Sequence, residues 1–194
     1  ADLRELADLA ASGTLVGGSS VPYHPAFERL RRPDGSRTLH VVGYNDFYYY
    51  RVHAVDTLRR LAGADWRRVE PVPETDASIV TVSFEDGSWG TVRFDGPTEP
   101  AAFGAMAVSD RVGSATVDAT EETLREMYRP FLRAFLEAVL GDTDPTERVL
   151  SATRLGLAAE RALEEGRPIA SGRSALSGFA VPSEEFVAEY EPYY

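Results

Sequence analysis

Residues 77–84 (ASIVTVSF) and 89–95 (WGTVRFD) alternate apolar and polar side chains on either side of Glu85-Asp86-Gly87-Ser88. Alternation with period two places every second side chain on one face of a strand. A short link containing Asp-Gly between two such runs turns the chain back antiparallel. This pair constrains the fold more than any other feature, because the middle of the chain must then build a sheet. Residues 102–109 and 112–118 read as a second, weaker pair, and Arg37–Gly43 (RTLHVVG) as a further strand. If Val80, Val82 and Phe84 face the helices, Ile79 and Thr81 face elsewhere, so both faces need cover. A partner sheet is the natural cover, and a homo-oligomer through the open sheet face is expected.

Helical spacing brackets this β-rich middle. Residues 50–62 (YRVHAVDTLRRLA) repeat apolar positions every three or four residues and stop at Gly63. Leu3, Leu6, Ala7 and Ala10 give the same spacing over 2–12, followed by Gly13 and a short buried strand at Thr14-Leu15-Val16. GGSSVPYHPAFERLRR reads as a Gly/Ser loop and a helix over about 25–32. Two helices close the fold. The first spans about 121–140, with Leu124, Met127, Tyr128, Phe131, Phe135 and Val139 on one face and a kink or restart expected at Pro130. The second has Asp144 as cap, Pro145 at the first helical position and Glu147 completing a capping box. It ends at Gly166, with Pro168 just beyond. From 171 the chain is Ser/Gly-rich, then acidic and aromatic (EEFVAEYEPYY), a tail either disordered or strapped onto a neighbouring surface. This order predicts an α+β domain, an open and mostly antiparallel sheet covered by helices on one face, over residues 21–170.

Composition removes several functions. The formal net charge is −11, which repels phosphate backbones, so no nucleic-acid partner is expected. No apolar run is long enough to span a bilayer and no basic-then-apolar leader opens the sequence, so no membrane partner and a cytoplasmic location are expected. Cysteine is absent, which removes disulfides, thiolate metal sites and a cysteine nucleophile. All 20 basic residues are arginine, which removes Schiff-base chemistry, a lysine general acid and a phosphate-loop lysine from these residues. The Ala, Arg and Gly abundance of a GC-rich genome explains that bias, and the chemical consequence holds either way. Three scattered histidines offer no ligand spacing, so no metal is expected.

Several segments, in order, resemble the C-terminal half of the Gfo/Idh/MocA dehydrogenases. GGSSVPYHPAFERLRR resembles the loop and helix after the last strand of that family's nucleotide domain. RVHAVDTLRRLAG resembles its helix carrying His-x-x-Asp, ASIVTVSFEDGSWGTVRF its central hairpin, and FLRAFLEAVLGDTDPTERVLSATRLGLAAERALEEGRPI its terminal helix pair. The resemblance covers roughly residues 1–169. It implies a two-domain enzyme in which a Rossmann domain holds NAD or NADP and an α/β domain shapes the substrate site and the oligomer interface. On that reading residues 1–20 are the end of the nucleotide domain, and the family's Glu-Lys-Pro lysine would precede Ala1. No Gly-x-Gly-x-x-Gly follows a strand in this sequence, so these residues alone are expected to bind no cofactor, with NAD(P) entering through a Rossmann domain. Two origins fit: a fragment of a full-length dehydrogenase, or a natural protein that lost its cofactor half.

Within the predicted 50–62 helix, His53 and Asp56 share a face, and Tyr49 and Arg60 extend the stripe one turn each way. The resemblance makes His53 the active-site histidine, close to a reacting hydroxyl whose proton a neutral imidazole could take or return. Asp56 would then orient the imidazole or bind a substrate hydroxyl; a purely packed His53, bonded to a backbone carbonyl, is the alternative. Many family members carry aspartate where this sequence has Tyr49, inside the cluster Phe47-Tyr48-Tyr49-Tyr50. That cluster either lines a pocket for a bulkier, less polar substrate or packs a domain junction. Tyr23 and His24 lie in the loop that runs near nicotinamide and substrate in the family. Asn45 and Asp46 could contact a ligand or serve turn chemistry, and His40 reads as structural. A Ser19- or Ser20-His53-Asp56 hydrolase lacks a Gly-x-Ser-x-Gly elbow. The reading favoured is the substrate-binding and oligomerisation half of an oxidoreductase acting on a small hydroxylated or carbonyl, sugar-like compound. A cofactor-free acid–base enzyme (lyase, isomerase or cyclase) and a non-catalytic binding or assembly subunit are its rivals.

Overall fold

Seven strands make one sheet in the order β6-β5-β1-β4-β3-β2-β7. They are β1 (Thr38–Gly43), β2 (Trp66–Pro71), β3 (Ser78–Phe84), β4 (Trp89–Phe94), β5 (Ala102–Val108), β6 (Val112–Asp118) and β7 (Ile169–Ala170). The helices are α1 (Pro25–Glu28), α2 (Phe47–Ala62), α3 (Glu121–Val139) and α4 (Thr146–Glu165). This computed structural model describes residues 17–31, 35–73, 76–97, 99–141 and 144–172. The helix and strand expected over 2–16, and the tail beyond 172, lie outside the described residues.

The β3–β4 hairpin forms as the alternation requires, with Val80 opposite Val92 and Thr81 opposite Thr91. Only β1 and β4 run parallel among the described pairs, with α2 crossing between them over the helix-covered face. Val80, Val82, Phe84, Val92, Phe94, Leu39 and Val41 point to that face and are buried against Ala54, Val55, Leu58 and Leu61 of α2. A Cβ on Gly90 would stand 2.5 Å from Leu58 Cδ1, so glycine is what lets α2 sit this close to the sheet. Helix α4 covers β2, β3 and β7 beside α2, with Leu155, Ala158, Ala159 and Ala162 against the core. The other face carries Thr38, His40 and Val42 of β1, Trp89 and Thr91 of β4, and Met106 and Val108 of β5. Val42 and Trp89 there are exposed, whereas Ile79 and Thr81 are half-buried.

Local differences from the expectations have physical causes. Helix α2 starts at Phe47 rather than 50, because Asp46 caps it, its Oδ1 accepting from Tyr48 N at 2.7 Å. Helix α1 stops at Glu28, four residues short of the expected end. Helix α3 runs unbroken through Pro130, and Thr120 with Thr123 forms its capping box. Helix α4 begins one residue later than expected. Asp144 Oδ1 accepts from Thr146 N at 2.9 Å, and Glu147 makes no capping-box bond, lying 3.8 Å from Arg154 instead. Strand β2 escapes the sequence because only Trp66 and Val69 of its six residues are buried and a register shift between Trp66 and Arg68 breaks the alternation. No described helix is long and apolar enough to cross a membrane.

Candidate functional site

Ser19 organises the surroundings of α2. Its backbone N–H donates to Asp56 Oδ2 at 3.3 Å, and its Oγ lies 2.8 Å from His53 Nδ1. The same Oγ accepts from Val21 N at 3.0 Å, which opens the 3-10 turn Val21–Tyr23. Gly18 precedes it at φ +103, a left-handed conformation that turns the chain into this position. Ser19 is itself 2% exposed, so it is a wall of the site and not a surface group.

His53 is half-buried, with the rings of Phe103 at 5.4 Å and Tyr50 at 5.8 Å beside it. Tyr50 in turn lies 4.9 Å from Tyr44, and Tyr44 5.0 Å from Phe103. Burial in this aromatic setting lowers the imidazole pKa to about 4, so His53 is neutral near pH 7. A neutral imidazole with one nitrogen held by a serine can exchange a hydrogen bond with a substrate hydroxyl through the other. Ser19 Oγ, and not a backbone carbonyl, is what fixes Nδ1.

Asp56 sits one helical turn on and has different partners. It is fully buried, with Arg148 Nη1 3.3 Å from Oδ2 and Arg59 Nε 3.8 Å from Oδ1. Burial pushes its carboxyl up from the usual range while Arg148 and Arg59 pull it down. Arg148 also donates to Gly17 O at 3.0 Å. Asp56 thus ties α2, α4 and the segment 17–19 together, and the contact to His53 runs through Ser19.

The other expected residues fall into separate places. Tyr23 and Arg60 meet: the guanidinium lies 4.1 Å over the Tyr23 ring and its Nε is 2.5 Å from Glu28 Oε1. With Arg148, Phe131, Phe135 and Glu137 they line a cavity of about 210 Å³. His24 is buried, its Nδ1 accepting from Ala26 N at 3.1 Å to cap α1 and its Nε2 2.9 Å from Glu126 Oε2. Asn45 takes φ +69 and donates its N–H to Gly96 O at 2.9 Å, so Asn45 and Asp46 perform the turn and cap that start α2. Tyr49 packs edge-on to Tyr48 at 5.0 Å. His40 Nδ1 lies 2.9 Å from Thr91 Oγ1 on the open sheet face.

Two participants were not read from the sequence, Phe103 and Arg148, whereas Tyr50 belongs to the aromatic cluster expected either to line a pocket or to pack a junction. Phe103 reaches His53 from β5, and no spacing along one chain could signal that pairing. Arg148 lies 92 positions from Asp56. Among the described residues no group of three His, Asp or Glu side chains could hold a metal ion.

A dinucleotide does not fit the glycines present. A Cβ at Gly18 would stand 3.2 Å from the Asp56 carboxylate and 3.6 Å from the Arg148 guanidinium, which Asp56 and Gly17 O already engage, and Gly17-Gly18 leads into a three-residue turn and not into a helix N-terminus long enough to hold a pyrophosphate. Gly17-Gly18 therefore does not form a pyrophosphate-binding turn.

No model of a known protein family matches the sequence, and no curated protein matches it. Solved structures do. GenD2 from gentamicin A biosynthesis, solved in complex with NAD, is 16% identical with a TM-score of 0.68, over 87% of this chain and 68% of that one. A probable dehydrogenase from Thermotoga maritima is 17% identical with a TM-score of 0.66, over 88% and 70%. Myo-inositol dehydrogenase from Lactobacillus casei, solved with NAD(H) and myo-inositol, is 10% identical with a TM-score of 0.69, over 91% and 70%. The chain therefore has the α+β fold of the C-terminal domains of Gfo/Idh/MocA-type dehydrogenases and spans about 70% of such a chain.

Proposed function

We propose, from the fold shared with these dehydrogenases, that this chain is the substrate-binding and oligomerising part of an NAD(P)-dependent oxidoreductase acting on a small hydroxylated or carbonyl, sugar-like compound. The observation that carries the reading is His53. It is a neutral imidazole on the helix that crosses the sheet, held at Nδ1 by Ser19 and walled by Tyr50 and Phe103. With the Nδ1 proton donated to Ser19 Oγ, Nε2 keeps a lone pair to accept a hydrogen bond from a substrate hydroxyl and to take its proton. The same burial makes it a weak base, so its main contribution is orientation of that hydroxyl. The aromatic wall favours the apolar face of a ring-shaped polyol or a less polar analogue. A nucleotide domain would supply the cofactor and the hydride chemistry.

Oligomerisation belongs to the same reading. Val42, Trp89, Met106 and Val108 give the sheet face away from the helices an apolar character that a second copy would bury.

The test is a ligand screen by calorimetry with inositols, aldoses and keto-sugars, on the wild-type chain and on His53→Ala, alongside NAD(P)-linked turnover by the full product of the gene. Binding of a polyol that falls at least tenfold in His53→Ala supports the proposal. Polyol binding indifferent to His53→Ala, or no polyol binding together with no NAD(P)-linked turnover, overturns it.

A further inference from the structure

Helix α3 differs from α2 and α4 in having two apolar faces. One holds Met127 and Ala138 buried and Phe131 against Tyr23, with ring centroids 5.5 Å apart. The other exposes Tyr128, Leu132, Leu136 and Leu140 to solvent, at 48%, 52%, 56% and 77%. A groove of about 620 Å³ runs along these residues, and Arg125, Arg129 and Arg133 line it at four-residue spacing, followed by Glu137 as the single acid of the lining. Arg125 pairs with Glu121 on the same helix, whereas Arg129 and Arg133 have no ion pair among the described residues. The surface is therefore an apolar strip beside a short cationic row, on a protein whose net charge is −11. It asks for an occupant that is aromatic or aliphatic and locally acidic.

The sequence contains one. Residues 179–194 (FAVPSEEFVAEYEPYY) carry Glu184, Glu185, Glu189 and Glu191, the apolar and aromatic side chains of Phe186, Val187, Tyr190, Tyr193 and Tyr194, and no basic residue. Reach is sufficient. The described chain ends at Gly172, and the 22 residues that follow extend to about 70 Å. A domain of this size has a radius of gyration of about 16 Å, so every part of its surface is within range. The opposite terminus is the poorer candidate, because residues 1–16 contain Arg4 among their three acids and no aromatic ring.

We propose that the acidic, aromatic C-terminal segment 179–194 of this same chain docks on the outer face of α3. Its glutamates meet Arg125, Arg129 and Arg133, and Phe186 and Tyr190 cover Leu132 and Leu136. Docking there buries the outer side of the helix whose inner side, through Phe131, walls the cavity at Tyr23 and Arg60.

The absence of cysteine makes a clean test possible in the full chain. Leu136→Cys combined with Tyr190→Cys is compared with Val42→Cys combined with Tyr190→Cys, the latter pair probing the open sheet face. The expected result is an intrachain disulfide that forms at least tenfold faster in the Leu136 pair. Adding Arg129→Glu and Arg133→Glu, or molar salt, should slow it at least fivefold. Equal rates for the two pairs would overturn the proposal, as would a Leu136 pair indifferent to charge reversal. Disulfide-linked dimers in place of the intrachain product would also overturn it, by showing that a second copy covers α3.

Discussion

His53 and Asp56 stand three residues apart on one helix and occupy opposite environments. The histidine keeps some exposure, has one polar partner at Nδ1, and is surrounded by aromatic rings. The aspartate has none, and is held by two arginines and a backbone N–H. Helical spacing correctly places the two on one side of α2, but it says nothing about which neighbours each will meet. What separates them is depth: one turn further along, α4 and the 17–19 segment close over the helix. A shared face is therefore compatible with one residue left partly exposed and one devoted to joining elements.

Substitutions at the two positions should separate these roles. Asp56→Ala strands Arg148 and Arg59 in a buried setting and should cost about 3–5 kcal/mol, read by urea denaturation. A loss below about 1 kcal/mol with abolished polyol binding would make Asp56 a ligand group and erase the contrast. His53 should leave a different mark. Its folded pKa, about 4, lies below the ordinary histidine value of 6.5, so the unfolded chain binds the extra proton first. Its contribution is fully present above pH 6.5 and is lost as pH falls toward 4, by about 2–3 kcal/mol. Denaturation curves against pH should show that slope in the wild type and lack it in His53→Gln. Ser19→Ala sharpens the contrast, since it frees His53 Nδ1 but leaves the backbone bond to Asp56. It should cost about 1–2 kcal/mol and shift the His53 resonance in its NMR titration while Asp56 is undisturbed. The smallest effect is expected from Asp46→Ala, which removes the cap of α2, about 1 kcal/mol with polyol binding retained. Loss of binding there would move the site to the helix N-terminus.

The sheet was legible wherever burial is one-sided. In β3 and β4 one face meets helices and the other does not, so the period of two survives in the residues. In β2 the charged Arg67, Arg68 and Glu70 and the register shift erase it, and β7 is too short to carry any period. The fold as a whole was legible through the order of its segments. The site was legible only along α2, because His53 and Asp56 are local to one helix. Arg148 and Phe103 come to it across 92 and 50 positions, and their approach is set by how α4 and β5 pack. Asn45 and Asp46 illustrate the reverse case, since their turn-forming chemistry is intrinsic to the residue types and is what the structure displays.

The parallel seam between β1 and β4 also shapes how the chain reaches this structure. On one side of it lie β6, β5 and β1, and on the other β4, β3, β2 and β7, each block joined internally by antiparallel pairs. The β3–β4 and β5–β6 hairpins need only short loops to close. The seam joins residues such as Thr38 and Trp89, 51 positions apart, and requires α2, β2 and β3 to be laid down between them first. Closing such a contact is slow compared with forming a hairpin. Insertion of β1 between β4 and β5, whose partners of Thr38 lie 51 positions away at Trp89 and 70 positions away at Val108, is therefore the step expected to limit the folding rate.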